Sequence, residues 1–418
     1  MGIVLKDGKV IHDAVHGSMK IPEEIIKLVD TPEFQRLRGI KQLGLANLVY
    51  PGANHTRFEH SLGTWYLARK LAFELSLPPE ESLLIQLAAL LHDIGHGPFS
   101  HTFERVYRDR LGFQDHMEVS KEIIEGKIQI CEDGGELQDL ISSLGYDPRE
   151  VSALIVGEHE KKYLRMIIHG DIDVDQLDYL TRDAHYTGVA HGIIDLERLL
   201  TVMKVHDGEL VIDEKGVEAV EGMLVARSLM YSRVYFHRTV KIAEGMLIRA
   251  VEFALDEGEL RDFWKMTDDR LMIELEDLGD YPGEIIKRIR TRRLFKAAVV
   301  VGPENLSPED RKVLTSLYRS VKKRKRIENE LAESVGAREG EVILELSIPE
   351  LILSEPRLKQ VEVNVLLDGN RIEPIAKVTP LASAIKRRQT PRWVLIIATS
   401  PEYLEKVRGI WREIVFGG

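Results

Sequence analysis

Apolar residues recur at three- and four-residue spacing through most of the first 258 positions, which predicts a succession of amphipathic helices. Two short interruptions carry hairpin signals. Asp7-Gly8 separates apolar-rich runs within 3–11, and Asp207-Gly208 does the same within 205–211. Further helices are expected at 242–256, 282–300 and 307–334. From about residue 341 the pattern changes: 341–346, 361–367 and 393–398 read as strands, and a closing helix runs from Pro401 to about Ile414. The expected fold class is mainly α. An all-α core over 1–258 is followed by a smaller C-terminal α+β lobe over 259–418.

Three polar deposits sit inside this apolar pattern. Residues 83–101 form a nearly all-apolar helix that ends in His92-Asp93 and is stopped by Gly95, Gly97 and Pro98. An imidazole and a carboxylate at a buried helix end need partners, and a helix C-terminus favours a cation. A metal satisfies both demands; so does a core histidine hydrogen-bonded to a neighbouring aspartate. The second deposit is His60, within 54–63 and ahead of a helical run. The third is 173–183, where Asp175, Asp178, Tyr179, Arg182 and Asp183 share one helix face. A solvated face braced by Asp178–Arg182 and Tyr179–Asp183 pairs gives the same pattern, but beside the two histidine clusters the face reads better as lining a site. Taken together, His60, His92, Asp93 and Asp175 make a mixed nitrogen/oxygen ligand set. Such a set suits iron, manganese, nickel or zinc, with magnesium as a companion ion on phosphates.

Composition narrows the function classes. The chain has 418 residues, 44% of them hydrophobic and 30% charged, and no apolar run of membrane-spanning length. The N-terminus shows no signal-peptide pattern, and a single cysteine, Cys131, excludes an internal disulfide framework; a cytoplasmic location is expected. The net charge of −11 argues against a broad basic nucleic-acid surface. The one basic run, 322–326, precedes several glutamates and reads as a solvated helix face or a hinge. Twelve of the fourteen histidines precede residue 192, which assigns the chemistry to the helical core.

At His60, His92-Asp93 and Asp175 the chain resembles the HD-domain phosphohydrolases, whose ligand order is H…HD…D. Residues 34–38, 40–44, 51–53, 57–63 and 92–101 resemble one branch in particular, the deoxynucleoside triphosphate triphosphohydrolases, including the animal SAM-and-HD-domain enzyme and its bacterial and archaeal relatives. The resemblance is dense over 9–120 and 170–241 and thin beyond about residue 300. It implies an HD-domain catalytic core, a dNTP substrate, a metal cofactor and a homo-oligomer. Two other readings stay open: an HD enzyme acting on a monophosphate, cyclic nucleotide or alarmone, and a catalytically silent nucleotide- or nucleic-acid-binding regulator.

The resemblance also implies site residues. His96, His101 and His116 correspond to active-site histidines, His101 being the expected proton donor. Met117 stands where the family usually has Glu, with Asp115 or Glu118 as substitutes for it. Arg57, Arg227 and Arg238 correspond to phosphate-facing cations, Gln176 replaces a frequent Lys, and Tyr179 lies on the substrate face. Gln42 and Asp183 would hold the sugar 3′-hydroxyl, and Leu43 and Tyr235 would crowd the 2′ carbon. Lys9, Val10, Asp30, Gln35 and Arg38 correspond to positions that bind a GTP or dGTP activator, although Asp30 before Thr31-Pro32 also reads as a helix N-cap.

Overall fold

The computed structural model describes residues 8–347, 363–387 and 393–417. Residues 3–7 of the first expected hairpin lie outside them. The hairpin that is described pairs β1 (Lys9–Asp13) with β2 (Gly17–Ile21), in register from Lys9↔Ile21 to Asp13↔Gly17. Its turn is at 14–16; the expected turn at Asp7-Gly8 includes Asp7, which lies outside the described residues. Asp13 Oδ1 accepts the amides of Val15 (2.9 Å) and His16 (2.8 Å), and Gly17 takes a φ of 72°. An aspartate that accepts the amides two and three residues on closes such a turn without an Asp-Gly pair.

Four helices position the polar deposits: α1 (Arg57–Glu74), α2 (Pro79–Leu91), α3 (His116–Ile124) and α4 (Val174–Thr187). A capping box of Thr56 and Glu59 starts α1. The side chain of Asp173 caps α4 by accepting the Gln176 amide at 2.8 Å, and Gly188 ends it at a φ of 69°. Helix α1 packs on both α2 and α4. Gly63 permits the second contact, since a Cβ there would stand 1.9 Å from Asp178 Oδ1.

By packing, the chain divides elsewhere than at residue 258. One unit comprises 1–230, 262–269 and 361–387; the other comprises 231–261, 270–360 and 388–418. The first is mainly helical. Its hairpin Met203–His206/Glu209–Asp213 is extended by Asn364–Leu367, which pairs parallel with it, and then by Arg371–Pro374. Part of the expected C-terminal α+β lobe thus belongs to this unit, and positions 361–362 of the strand expected there lie outside the described residues. The second unit carries a three-stranded antiparallel sheet with Leu395–Thr399 between Lys296–Val301 and Val342–Leu346. Leu314, Leu331, Val342, Leu395 and Val407 form part of its apolar core.

Three expectations need correction here. The helix expected at 282–300 ends at Arg290, and Lys296–Val301 is a strand. Its Ala-Ala-Val-Val-Val run is too short for periodicity to decide, and β-branched residues pack well on a sheet. The helix expected at 307–334 is two, Pro308–Arg319 and Val321–Val335, divided at Ser320, whose side chain caps the second. The basic run is not simply solvated: Arg324 is buried with Nη2 2.6 Å from both Glu252 oxygens. Among the described residues no helix is long and apolar enough to cross a membrane.

Candidate active site and metal centre

His60 lies in the first turn of α1, His92-Asp93 follow α2 directly, and Asp175 lies in the first turn of α4. Their ligand atoms converge. His60 Nε2 is 3.0 Å from Asp175 Oδ1 and 3.5 Å from Asp93 Oδ2. His92 Nε2 is 3.3 Å from Asp93 Oδ1 and 3.8 Å from Asp175 Oδ1. The opposite ring nitrogens are committed: His60 Nδ1 donates to Asp178 Oδ2 at 2.8 Å and His92 Nδ1 to the Ala89 carbonyl at 2.8 Å. Because carboxylates and carbonyls only accept, each Nδ1 carries the proton and each Nε2 turns a lone pair inward.

Despite these short approaches, buried His60 Nε2, His92 Nε2 and Asp93 Oδ1 make no hydrogen bond of acceptable geometry. Orphaned polar atoms at one point are the mark of a missing ligand, and His60, His92 and Asp93 can together hold a metal ion. The charge agrees. Burial alone would lower the His60 pKa, yet Asp175, Asp178 and Asp93 push it up to about 9. Burial opposes ionisation of Asp93, but Arg57, His92 and His96 hold its carboxyl well below the usual range. Such a centre favours a cation. The donor set fits a divalent transition metal and does not choose among them.

Beside it lies a histidine trio. His96 stacks on His116 with centroids 3.8 Å apart, and His101 meets both edge-on at 4.8 and 5.1 Å. His101 Nδ1 and His116 Nδ1 share Glu104 Oε1, at 2.9 and 2.7 Å, and His96 Nε2 is 3.3 Å from Asp93 Oδ1. Burial, Arg57 and His116 hold the His96 pKa well below its usual value. Burial would raise the Glu104 pKa, but His101 and His116 keep it well below the ordinary carboxylate range. The carboxylate that orients His101 and His116 is therefore Glu104. Neither expected substitute does so: Asp115 caps α3 by accepting the amides of Met117 and Glu118, and Glu118 accepts the Gln114 amide at 2.6 Å. The connecting loop is tightly held. Phe99 and Ser100 both adopt a left-handed φ of 56°, and the Phe99 amide donates to Asp268 Oδ1 at 2.6 Å.

Of the expected substrate residues, several gather in the first unit. Arg57 is buried and its guanidinium is engaged: Nη1 with Asp93 Oδ2 at 2.6 Å, Nε with Ser100 Oγ at 2.9 Å. Gln42 is buried with Oε1 lacking a hydrogen bond, and its backbone N–H donates to the His55 carbonyl at 3.0 Å. His55 Nε2 in turn donates to Asp183 Oδ1 at 2.7 Å, so one histidine ties Gln42 to Asp183. Leu43 is half-buried; Tyr179 and Arg227 are buried on α4 and on the helix Val217–Met230. Gln176 is turned to the start of its own helix, donating to the Gly170 carbonyl at 3.0 Å. Tyr235 closes the π-helical turn Tyr231–Tyr235 and Arg238 begins the helix Arg238–Asp256, both in the second unit.

Lys9 and Asp30 meet on the surface, with Nζ 3.7 Å from Oδ2, and Val10 is exposed. Gln35 receives Arg38 Nε at 2.8 Å, and the Arg38 guanidinium lies 3.5 Å above the Phe58 ring. The expected capping role of Asp30 does not hold. Asp30 is the C-cap of Glu23–Val29, and Thr31 precedes the Pro32 helix.

Sequence reasoning places Asp178 and Arg182 on the polar face that lines this site but misses His16, Asp13 and Glu104. Asp178 and Arg182 were visible on the polar face of α4, but both are fully buried, which excludes the solvated alternative.

Residues 57–183 match the HD domain model, and residues 194–415 match the HD associated region. The chain belongs to the HD-domain family. An uncharacterized protein of Methanocaldococcus jannaschii is 34% identical over 96% of this chain and 81% of its own length. YwfO of Bacillus subtilis is 39% identical over 61% of this chain, and the Dictyostelium discoideum homologue of the deoxynucleoside triphosphate triphosphohydrolase SAMHD1 is 33% identical over 70%. This HD-domain chain spans 58% and 60% of those two proteins. Among solved structures, a hypothetical protein from Aquifex aeolicus has a TM-score of 0.74 at 27% identity, covering 96% of this chain and 99% of that one. A phosphohydrolase from Bacteroides thetaiotaomicron has a TM-score of 0.70 at 26% identity, covering 94% of this chain and all of that one (100%).

Proposed function

We propose that this HD-domain chain hydrolyses deoxynucleoside triphosphates to deoxynucleoside and inorganic triphosphate. The observation that carries the reading is the convergence of orphaned His60 Nε2, His92 Nε2 and Asp93 Oδ1 beside the Glu104-anchored histidine trio. His60, His92, Asp93 and Asp175 would hold the metal. A divalent cation there supplies Lewis acidity and lowers the pKa of water enough to make a nucleophile near neutral pH.

In the proposed reaction water adds to the α-phosphorus, the bond to the 5′-oxygen breaks, and that oxygen must leave protonated. His101 is the proposed donor. Glu104, bonded to the Nδ1 of both His101 and His116, fixes the orientation of both rings and turns each Nε2 away from itself, toward where the leaving group would sit. His96, depressed in pKa, acts as a neutral hydrogen-bonding partner. Arg57 holds Asp93 and is a proposed phosphate contact with Arg227 and Tyr179. Gln42, Leu43 and Asp183 take the deoxyribose, the free Gln42 Oε1 being suited to a hydroxyl. Tyr235 and Arg238 join the substrate contacts on the resemblance alone. The activator residues Lys9, Val10, Asp30, Gln35 and Arg38, at a separate site, and the homo-oligomer rest on the resemblance too, and the cytoplasmic location rests on composition.

The test is a panel of dNTPs, NTPs, monophosphates and cyclic nucleotides with each divalent metal, resolved by chromatography. Deoxynucleoside with inorganic triphosphate is the expected product pair; diphosphate or orthophosphate as the first product overturns the reading. Asp175→Ala should lose bound metal and turnover while keeping its helical content.

A further inference from the structure

We propose that His16 and Asp13, on the N-terminal hairpin, are positioning residues for the metal-facing His60. The inference rests on the reading of His60 as a metal ligand. It begins with Asp178, whose carboxylate is fully subscribed. Asp178 Oδ2 accepts His60 Nδ1 at 2.8 Å and Arg182 Nε at 2.8 Å. Asp178 Oδ1 accepts Arg182 Nη2 at 3.0 Å and His16 Nε2 at 2.6 Å. All four donors approach a carboxylate that is completely buried.

The hairpin supplies the outer half of this arrangement. Asp13 receives Arg182 Nη1 on Oδ2 at 2.8 Å and Nη2 on Oδ1 at 3.2 Å. The same Oδ1 accepts the amides of Val15 and His16, so one carboxylate fixes both the arginine and the backbone that carries His16. The His16 side chain is buried, and its ring lies against Tyr66 of α1 with centroids 5.5 Å apart. Strand β1 is otherwise largely exposed. The hairpin thus inserts its turn, and only its polar turn residues, into the hydrogen-bond shell behind a metal-facing imidazole.

The consequence is geometric. Asp178 sets the tautomer and ring angle of His60, because a proton held on Nδ1 leaves Nε2 to the metal. Asp178 can do so only while its own rotamer is fixed. Arg182 fixes one edge, and Arg182 is fixed by Asp13; His16 fixes the remaining Oδ1 position. A residue behind a ligand commonly changes metal affinity by about 10–100-fold, without touching metal or substrate itself.

The experiment compares Mn²⁺ affinity, by chelator competition on the full chain, in wild type, His16→Phe, His16→Gln and Met19→Ala. Phenylalanine keeps the ring on Tyr66 and removes the donor; glutamine restores an N–H. Met19 is a fully buried hairpin residue outside the network, so its truncation loosens the hairpin alone. The expected result is Mn²⁺ binding weakened about tenfold or more in His16→Phe, largely recovered in His16→Gln, and near wild type in Met19→Ala. Wild-type affinity in His16→Phe overturns the proposal. So does an equal loss in Met19→Ala, which would mean that the hairpin acts only as a structural cover. Failure of the wild type itself to bind Mn²⁺, or any other divalent transition metal, instead overturns the metal-site reading beneath it.

Discussion

Arg57 Nη1 stands 2.6 Å from Asp93 Oδ2, and both side chains are buried. The other oxygen of that carboxylate lies 3.3 Å from His92 Nε2, within the proposed metal site, so the pair bears on folding and on that proposal at once. Replacing Arg57 by Met should cost about 3–5 kcal/mol, because the Asp93 charge is left buried without its partner. Urea denaturation of the metal-free protein measures it. Metal should restore part of the loss, since a ligand that binds only the folded state stabilises it. A loss below about 1 kcal/mol would mean that solvent reaches Asp93 after all.

The shared Glu104 makes a pH prediction with a definite sign. Its folded pKa is depressed by His101 and His116, so its contribution to stability is present above the unfolded value of about 4.3 and lost as pH falls through the folded value. Glu104→Gln should therefore flatten the acid loss of stability. The same variant removes the charged partner of His101, the proposed proton donor. The alkaline limb of the rate profile should move to lower pH, with turnover at its optimum reduced about a hundredfold. An unmoved alkaline limb would take proton donation away from the histidines that Glu104 holds.

Much of this site is legible in the sequence, and what is not has a common physical cause. His92-Asp93 stand out because an apolar helix cannot end in two buried polar groups without partners. His60 and Asp175 stand out by their order around that pair. Asp178 and Arg182 are legible as part of the polar face that lines the site, but not their burial, because i,i+4 spacing suits a solvated pair as well as a buried one and burial is a property of the tertiary fold. Glu104 was hidden for a similar reason: its partner His116 is 12 residues away, and an acidic residue opening a helix needs no special explanation. The basic run misled because Arg324 finds Glu252 at a separation of 72 residues. The strand Lys296–Val301 lay in an apolar run too short to show a period.

Sugar discrimination gives a third prediction. With Leu43 half-buried and the Gln42–His55–Asp183 chain beside it, a deoxyribose should be held by its 3′-hydroxyl and refused a 2′-hydroxyl. Wild type should hydrolyse dATP far faster than ATP. Leu43→Ala should narrow the ratio of kcat/KM by about tenfold or more, within the range that pocket sterics supply. Equal rates on dATP and ATP in the wild type would remove the sugar pocket as drawn.

The last prediction concerns activation, and the structure makes its test cleaner than the sequence allowed. Asp30 is a C-cap with an exposed carboxylate 3.7 Å from Lys9 Nζ, not a helix N-cap. An exposed pair of this kind contributes about 0–1 kcal/mol, so Asp30→Ala should leave thermal stability nearly unchanged. Its carboxylate can accept the two edge N–H groups that guanine presents and adenine lacks, while Lys9 offers charge to a phosphate. Hydrolysis of dATP should therefore rise when GTP or dGTP is added, with light scattering reporting a larger assembly. Asp30→Ala should lose both responses at an unchanged melting temperature, while its basal rate stays that of the wild type. If wild-type hydrolysis and assembly are both indifferent to guanine nucleotides, the pairing of Lys9 with Asp30 is a surface ion pair and nothing more.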